Sequence, residues 1–181
     1  METTATEKRF LPKIQKPLVF VGMMGVGKTT YGKKLAKRLE LEFYDADEEV
    51  EKEIGHSVSW IFQNAGEEEF RKLELKKIEE ILRSRRPLVL ALGGGAFISQ
   101  KVRDVVKKYA TSIWLKADPE IILYRVSQNN KRPLLNNVED KLGKIKEILI
   151  ERIKYYEQAD IHINSSQGSQ REIIANIISS I

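Results

Sequence analysis

Residues 18–29 read LVFVGMMGVGKT. Leu18–Val21 is a short apolar run that ends at a glycine, which predicts a buried strand. Gly22–Thr29 follows at once and fits the pattern G-x-x-x-x-G-K-[ST], and the residues after it have the apolar spacing of a helix. Glycines let backbone N–H groups turn inward without Cβ clashes, and a helix N-terminus favours negative charge. The segment therefore predicts a phosphate-binding loop, with Lys28 reaching the phosphates and the Thr29 hydroxyl reaching Mg²⁺.

The rest of the chain alternates between apolar runs and helical stripes. Further strands are predicted at 41–44, 87–92, 111–116 and 160–163, and helices at 29–39, 50–61 (broken at Gly55), 67–83, 99–109, 119–126, 139–157 and 170–180. Strands that alternate with helices imply a parallel sheet covered on both faces, so the predicted fold class is α/β, a three-layer sandwich. Residues 1–15 are expected to form a flexible leader, and 16–181 a single domain.

Composition excludes several classes of protein. With no cysteine and two histidines among 181 residues, disulfides, thiolate metal sites and a histidine-rich metal cluster are not expected. The longest apolar stretch, Leu18–Val26, is too short to span a bilayer, so we expect no membrane partner and a cytoplasmic location. The net charge of +5 comes from lysines and arginines mixed with acids along helices, which is typical of a solvated surface rather than of a nucleic-acid-binding face.

A GTPase switch is the alternative use of such a loop, and the sequence argues against it. That class needs a guanine-reading N-K-x-D, and none occurs. Asp140–Gly143 does fit the switch pattern D-x-x-G, but it lies at the head of a predicted helix rather than at a strand end. We interpret it as coincidence.

Two carboxylates follow the second predicted strand. Asp45 and Asp47 lie where the phosphate crevice of an open α/β sheet is expected. One could organise Mg²⁺ and the other could hold or deprotonate an acceptor hydroxyl. The spacing from Asp45 to Glu48 also fits a helix cap, and the sequence leaves both interpretations open.

Other polar groups stand out against their surroundings. Arg71 and Glu74 are one helical turn apart and could bind a ligand or simply pair on the surface. Gly93–Gly95 ends the third strand and indicates close approach of a ligand, although a flexible turn is the alternative. Ser127–Asn137 is a polar loop with the features of a lid. Arg152 falls within the apolar stripe formed by Ile145, Ile148, Leu149, Ile153 and Tyr156, so it either binds an anion or extends to solvent.

Taken together, these segments resemble the shikimate kinase family from about Pro17 to Ile178. The matching strings, in the family's order and spacing, are GMMGVGKTTYGKKLA (22–36), FYDAD (43–47), GEEEFRKLE (66–74), LALGGG (90–95) and RPLL (132–135). The resemblance implies a five-stranded parallel sheet of the P-loop kinase type, with a lid at about 127–138. It also implies transfer of phosphate from ATP to shikimate, giving ADP and shikimate 3-phosphate, a step of chorismate and aromatic amino-acid biosynthesis.

The resemblance also implies roles for individual residues. The implied ATP-binding residues are Gly25, Val26, Gly27, Lys28, Thr29, Thr30, Arg125 and Arg132. The implied acceptor-binding residues are Asp47, Arg71, Gly93, Gly94, Gly95 and Arg152. Thr29 and Asp45 would serve one Mg²⁺ ion. The implied catalytic residues are Lys28, Asp47 as the base, and Arg132 over the transferring phosphate. Glu74 would orient Arg71, and Arg125 would pack on adenine.

Alternatives within and outside enzymes remain open at this point. A gluconate or nucleoside monophosphate kinase would share the phosphate loop, but the RPLL and GGG segments argue against both. A non-catalytic nucleotide-binding homologue would be expected to have lost Lys28, Asp45 or Asp47, and all three are present. The expected enzyme is a monomer with small-molecule partners, ATP and shikimate.

Overall fold

The computed structural model describes residues 12–84, 86–128 and 138–181. In chain order the elements are β1 Leu18–Val21, α1 Lys28–Leu39, β2 Glu42–Asp45, α2 Ala46–Ile54, α3 Val58–Asn64, α4 Gly66–Arg83, β3 Leu88–Ala91, a 3₁₀ turn Ala96–Ile98, α5 Gln100–Tyr109, β4 Thr111–Lys116, α6 Pro119–Ser127, α7 Lys141–Tyr156, β5 Ile161–Asn164 and α8 Gln170–Ser180. The predicted α/β fold class is confirmed, and most predicted elements begin and end within a few residues of the observed ones.

The strands form one five-stranded parallel sheet in the order β2-β3-β1-β4-β5. Phe20 in the central strand lies opposite Ala91 of β3 and Ile113 of β4. The chain passes from β3 across β1 to β4, and this switch places a crevice at the carboxyl end of β1. The phosphate loop begins at that end.

Alternate residues of the central strands fill two apolar layers, one on each face of the sheet. Phe20 and Ile113 belong to the layer under α1, α6, α7 and α8, whereas Val19 and Trp114 belong to the layer under α4 and α5. A third, smaller cluster joins α2, α3 and α4 and includes Phe70. It forms a separate helical region beside the sheet.

The amino-terminal segment and the helices add two findings. The expected leader, residues 1–15, falls mostly outside the described residues, but Ile14 packs against the first core layer. None of the helices in the described part of the chain combines the length and apolarity that crossing a bilayer demands.

Two sequence predictions need correction. The helix predicted from Val50 begins at Ala46, because the Asp45 carboxylate accepts a hydrogen bond from the Asp47 N–H and caps it. Ile153, assigned to the apolar stripe of α7, is 44% exposed, because the helical turn carries it past the face that buries Tyr156.

Candidate active site

The phosphate loop has the backbone that its glycines predict. Gly22, Gly25 and Gly27 have φ angles of 133°, 78° and 104°, a region that other residues rarely adopt. The Lys28 ammonium donates hydrogen bonds to the carbonyls of Gly22 (2.8 Å) and Met23 (2.9 Å). Within the described chain no side chain caps α1, and its first turn has no acidic residue. The positive end of this helix therefore suits an anion.

This loop opens onto a cavity of about 570 Å³. Its lining residues are Met24, Gly25, Gly27, Lys28, Thr29, Thr30, Tyr31, Asp45, Asp47, Leu92, Gly93, Gly94, Tyr124, Arg125, Gln128 and Gln170. The cavity therefore joins the phosphate loop to the ends of β2 and β3. The phosphate loop and the carboxylates Asp45 and Asp47, which the sequence predicted from separate segments, therefore line the same cavity.

Asp45 has two structural roles at once. Its Oδ2 atom accepts a 2.8 Å hydrogen bond from the Thr29 hydroxyl, and its Oδ1 atom caps α2 through the Asp47 N–H at 3.2 Å. The helix-cap interpretation is therefore confirmed, while the role of Asp45 in holding Mg²⁺ stays a prediction. Carboxylate and hydroxyl oxygens are ligands that Mg²⁺ accepts, so this pair fits one side of a magnesium site.

Asp47 and Glu74 approach each other beside Gly93. Asp47 Oδ1 and Glu74 Oε1 are both buried without a hydrogen-bond partner among the described residues. Burial, reinforced by the Asp45 charge, raises the pKa of Asp47 to about 6. Burial likewise raises the pKa of Glu74 to about 7, although Arg71 opposes the shift. These groups hold protons more tightly than ordinary carboxylates.

Arg71 and Glu74 form an ion pair, but not a surface one. Arg71 Nη1 donates to Glu74 Oε2 at 2.7 Å, and the Glu74 side chain is 1% exposed while that of Arg71 is 33% exposed. Glu67 holds the other edge of the guanidinium at 3.2 Å. Two carboxylates therefore fix the orientation of Arg71 at the rim of the site.

The triglycine segment lies where the site residues converge. A Cβ at Gly93 would lie 2.7 Å from both Asp47 Oδ1 and Glu74 Oε1, and one at Gly95 would lie 2.6 Å from Arg71 Nη2. At Gly94 a Cβ would lie 3.1 Å from the backbone N of Met24, in the phosphate loop. Protein atoms therefore approach all three glycines closely, which favours glycine at these positions over a plain flexible turn, whereas the predicted approach of a ligand stays a prediction.

Arg152 reaches this turn from α7. Its Nη1 atom donates to the Gly94 carbonyl at 3.2 Å, and the residue is half-buried. The same carbonyl accepts a 2.6 Å hydrogen bond from the Tyr156 hydroxyl. Sequence reasoning treated Tyr156 only as part of an apolar stripe, because its hydroxyl partner lies 62 residues away in the chain.

Arg125 connects the other end of the cavity. It donates to the Val26 carbonyl of the phosphate loop (2.9 Å) and to the Ser165 carbonyl (2.7 Å). Ser165 is 1% exposed, and its hydroxyl donates to the same Val26 carbonyl at 3.1 Å. Ser165 was not predicted from the sequence, because it belongs to none of the motifs found there. Its burial in the folded chain is the observation that identifies it.

Two sequence predictions, Arg132 and most of the predicted lid at 127–138, lie outside the described residues.

The D-x-x-G match has an ordinary structural explanation. Asp140 accepts a hydrogen bond from the Gly143 N–H at 2.8 Å and caps the start of α7.

A phosphate loop on a parallel sheet, with a carboxylate and two arginines gathered at one turn beside it, defines a P-loop small-molecule kinase. The family model for shikimate kinase matches residues 24–181. Shikimate kinase of Bartonella quintana is 41% identical over 179 residues, covering 98% of this chain and 84% of that protein. That of Francisella tularensis subsp. novicida is 39% identical and covers 90% of this chain and 92% of the relative. The chain belongs to the shikimate kinase family, and it is an ATP-dependent kinase.

Solved structures agree with this assignment. Shikimate kinase from Acinetobacter baumannii, solved in complex with shikimate, superimposes with a TM-score of 0.85 at 36% identity, covering 95% of this chain and 94% of that one. A gluconokinase from Sinorhizobium meliloti has a TM-score of 0.63 at 16% identity, which shows only the shared fold.

Proposed function

We propose that this chain transfers the γ-phosphoryl group of ATP to the 3-hydroxyl of shikimate, giving ADP and shikimate 3-phosphate. The observation that carries the proposal is the convergence of Asp47, Arg71 and Arg152 on one triglycine turn that contacts the phosphate loop. Two arginines beside a carboxylate suit an acceptor that has both an acidic group and hydroxyls. The product would enter the chorismate route to aromatic amino acids.

In the acceptor half of the site, two arginines would bind the acceptor and one carboxylate would take its proton. Arg71 and Arg152 would bind the acceptor carboxylate, with the N–H donors that their protein partners leave available. The backbone of Gly93–Gly95 would lie against the ring, since these residues carry no side chain of their own. Asp47 would accept the hydroxyl proton while the acceptor oxygen bonds to the γ-phosphorus and the bond to the β–γ bridging oxygen breaks. A pKa of about 6 leaves Asp47 mostly ionised at neutral pH.

The donor half uses the phosphate loop. The loop N–H groups would surround the β-phosphate, and Lys28 would exchange its carbonyl partners for β- and γ-phosphate oxygens. Arg125 would pack on adenine from its position between Val26 and Ser165. Arg132, implied by the family resemblance, would cover the transferring phosphate.

One Mg²⁺ ion is part of the proposal. The Thr29 hydroxyl and Asp45 carboxylate would hold it, directly or through water, and the remaining ligands would be phosphate oxygens. The described residues contain no group of three acidic, histidine or cysteine side chains that could bind a metal alone, which agrees with an ion brought by ATP. When bound, the ion would neutralise charge on the phosphates.

A coupled ADP-release assay with ATP and Mg²⁺ tests this function. The acceptors are shikimate, quinate, gluconate, AMP and none. We expect turnover with shikimate alone. Turnover only with another acceptor would keep a P-loop kinase and overturn the substrate, whereas no turnover with any acceptor would favour a non-catalytic homologue.

We further propose that the enzyme is a cytoplasmic monomer that acts without nucleic acid. A chain without cysteine suits a reducing compartment, and its basic residues are mixed with acids along the helices rather than gathered on one face. Light scattering after size-exclusion chromatography should give a mass near 20.8 kDa. A mass of twice that value would overturn the monomer.

A further inference from the structure

Tyr156 is a buried polar residue that the proposed chemistry does not use. It ends α7, is 0% exposed, and its ring packs against Trp114 with centroids 5.9 Å apart. Its hydroxyl donates a short 2.6 Å hydrogen bond to the Gly94 carbonyl. A buried phenol usually finds one partner, and here the partner is the centre of the triglycine turn.

Gly94 connects both halves of the site. Its carbonyl, which has two lone pairs, also accepts from Arg152 Nη1 at 3.2 Å. On its other side it approaches the Met24 backbone, where a Cβ would lie 3.1 Å from the nitrogen. The position of this one peptide group therefore bears on both the acceptor arginine and the phosphate loop.

We propose that Tyr156 is a positioning residue for the acceptor: its hydroxyl holds the Gly94 carbonyl at the place where that carbonyl orients Arg152. The inference rests on the proposed acceptor role of Arg152. Without the phenol, the carbonyl keeps the guanidinium as its one partner, and the turn and the arginine shift together toward each other. Arg152 then presents its other N–H groups to the acceptor carboxylate at the wrong angle.

Two further features agree with a positioning role. Burial raises the pKa of the Tyr156 phenol above its ordinary value, so the hydroxyl remains a donor across the working pH range. The 3₁₀ turn that follows the triglycine turn is also held, because Arg103 Nη1 donates to the carbonyls of Phe97 (2.9 Å) and Ile98 (2.6 Å). The segment 94–98 is therefore held from α5 at one end and from α7 at the other.

The test is Tyr156→Phe, which removes one oxygen atom and keeps the ring against Trp114. We expect a rise of about fivefold in the KM and the calorimetric Kd for shikimate, the effect of one hydrogen bond of ordinary strength. The KM for ATP should change less than about twofold, a split that general destabilisation would not produce. Tyr155→Phe, a neighbour whose ring lies 5.0 Å from the Arg103 guanidinium, is the matched control and should leave both constants unchanged.

A double-mutant cycle with Arg152→Ala tests the positioning role of Tyr156 separately from the acceptor-binding role of Arg152. If Tyr156 acts through the shared carbonyl, adding Tyr156→Phe to Arg152→Ala should change the shikimate Kd by less than about twofold. A full fivefold effect in that background, or no effect of Tyr156→Phe in the wild type, would overturn the positioning role. If Arg152→Ala leaves the shikimate Kd unchanged, the acceptor assignment itself is wrong. All assays are run where thermal melting shows every variant folded.

Discussion

Asp47 Oδ1 and Glu74 Oε1 lie on the same side of Gly93, each 2.7 Å from the position that a Cβ would occupy there. Asp47 comes from the first turn of α2 and Glu74 from the middle of α4, so the segment after β3 brings Gly93 between two helices. Both oxygens are buried and lack a hydrogen-bond partner among the described residues. Two buried carboxyl groups at such an approach disfavour double ionisation.

Glu74→Gln should change how stability depends on pH. The folded-state pKa of Glu74 is about 7 against an ordinary 4.5, so between these values the folded chain binds more protons than the unfolded one. The stabilisation is complete below the ordinary pKa and is lost as pH rises through about 7. Glutamine stays neutral, so the wild type should lose on the order of 2 kcal/mol relative to the variant between about pH 5 and pH 8.

Urea denaturation across that pH range measures this difference. Glu67→Gln, which removes an exposed partner of the same arginine, is the control and should run parallel to the wild type. If the free energy of unfolding of Glu74→Gln also runs parallel to that of the wild type, Glu74 is ionised in the folded state over the whole pH range.

Asp47→Asn should act mainly on the chemical step. The amide can still contact a hydroxyl but cannot accept its proton, so we expect kcat to fall by about a hundredfold or more with little change in the KM for ATP. Steady-state kinetics with both substrates varied is the measurement. Glu48→Gln, an exposed acid on the same helix, should be close to wild type. A near-wild-type kcat for Asp47→Asn would remove its role as base.

Gly95→Ala should weaken acceptor binding selectively. The new methyl group would lie 2.6 Å from Arg71 Nη2, the end of a long side chain that can move aside. We expect a folded variant whose KM for shikimate rises about tenfold, because displaced Arg71 loses its geometry. Equal rises in the KM for shikimate and for ATP would contradict a role confined to the acceptor.

Arg125→Ala should have the opposite selectivity. Its guanidinium joins the Val26 carbonyl to Ser165, on the side of the cavity that we propose for the nucleotide. We expect the KM for ATP to rise about tenfold while the KM for shikimate stays within about twofold. Isothermal titration with ADP gives an independent check, with the exposed Lys107→Ala as control. A larger rise in the KM for shikimate than in the KM for ATP would place Arg125 in the acceptor half of the site instead.

Local patterns in the sequence predicted much of this architecture because they depend on near neighbours. The strand, glycine loop and helix of residues 18–39 need only apolar period, glycine conformation and helix start signals. Where two local signals competed, as at Asp45, the sequence could not choose; in the folded chain one carboxylate oxygen caps α2 and the other accepts a hydrogen bond from Thr29.

The tertiary structure decided the contacts between segments far apart in the chain. Sequence alone determined that there is a phosphate loop, an α/β sheet and a set of charged residues at strand ends, because each of these features depends on residues that are adjacent in the chain. Only the folded chain decided that Glu74 is buried, that Ser165 holds Val26, and that the Tyr156 hydroxyl meets Gly94. Burial and hydrogen-bond partners depend on which helices pack together, and no local period encodes that.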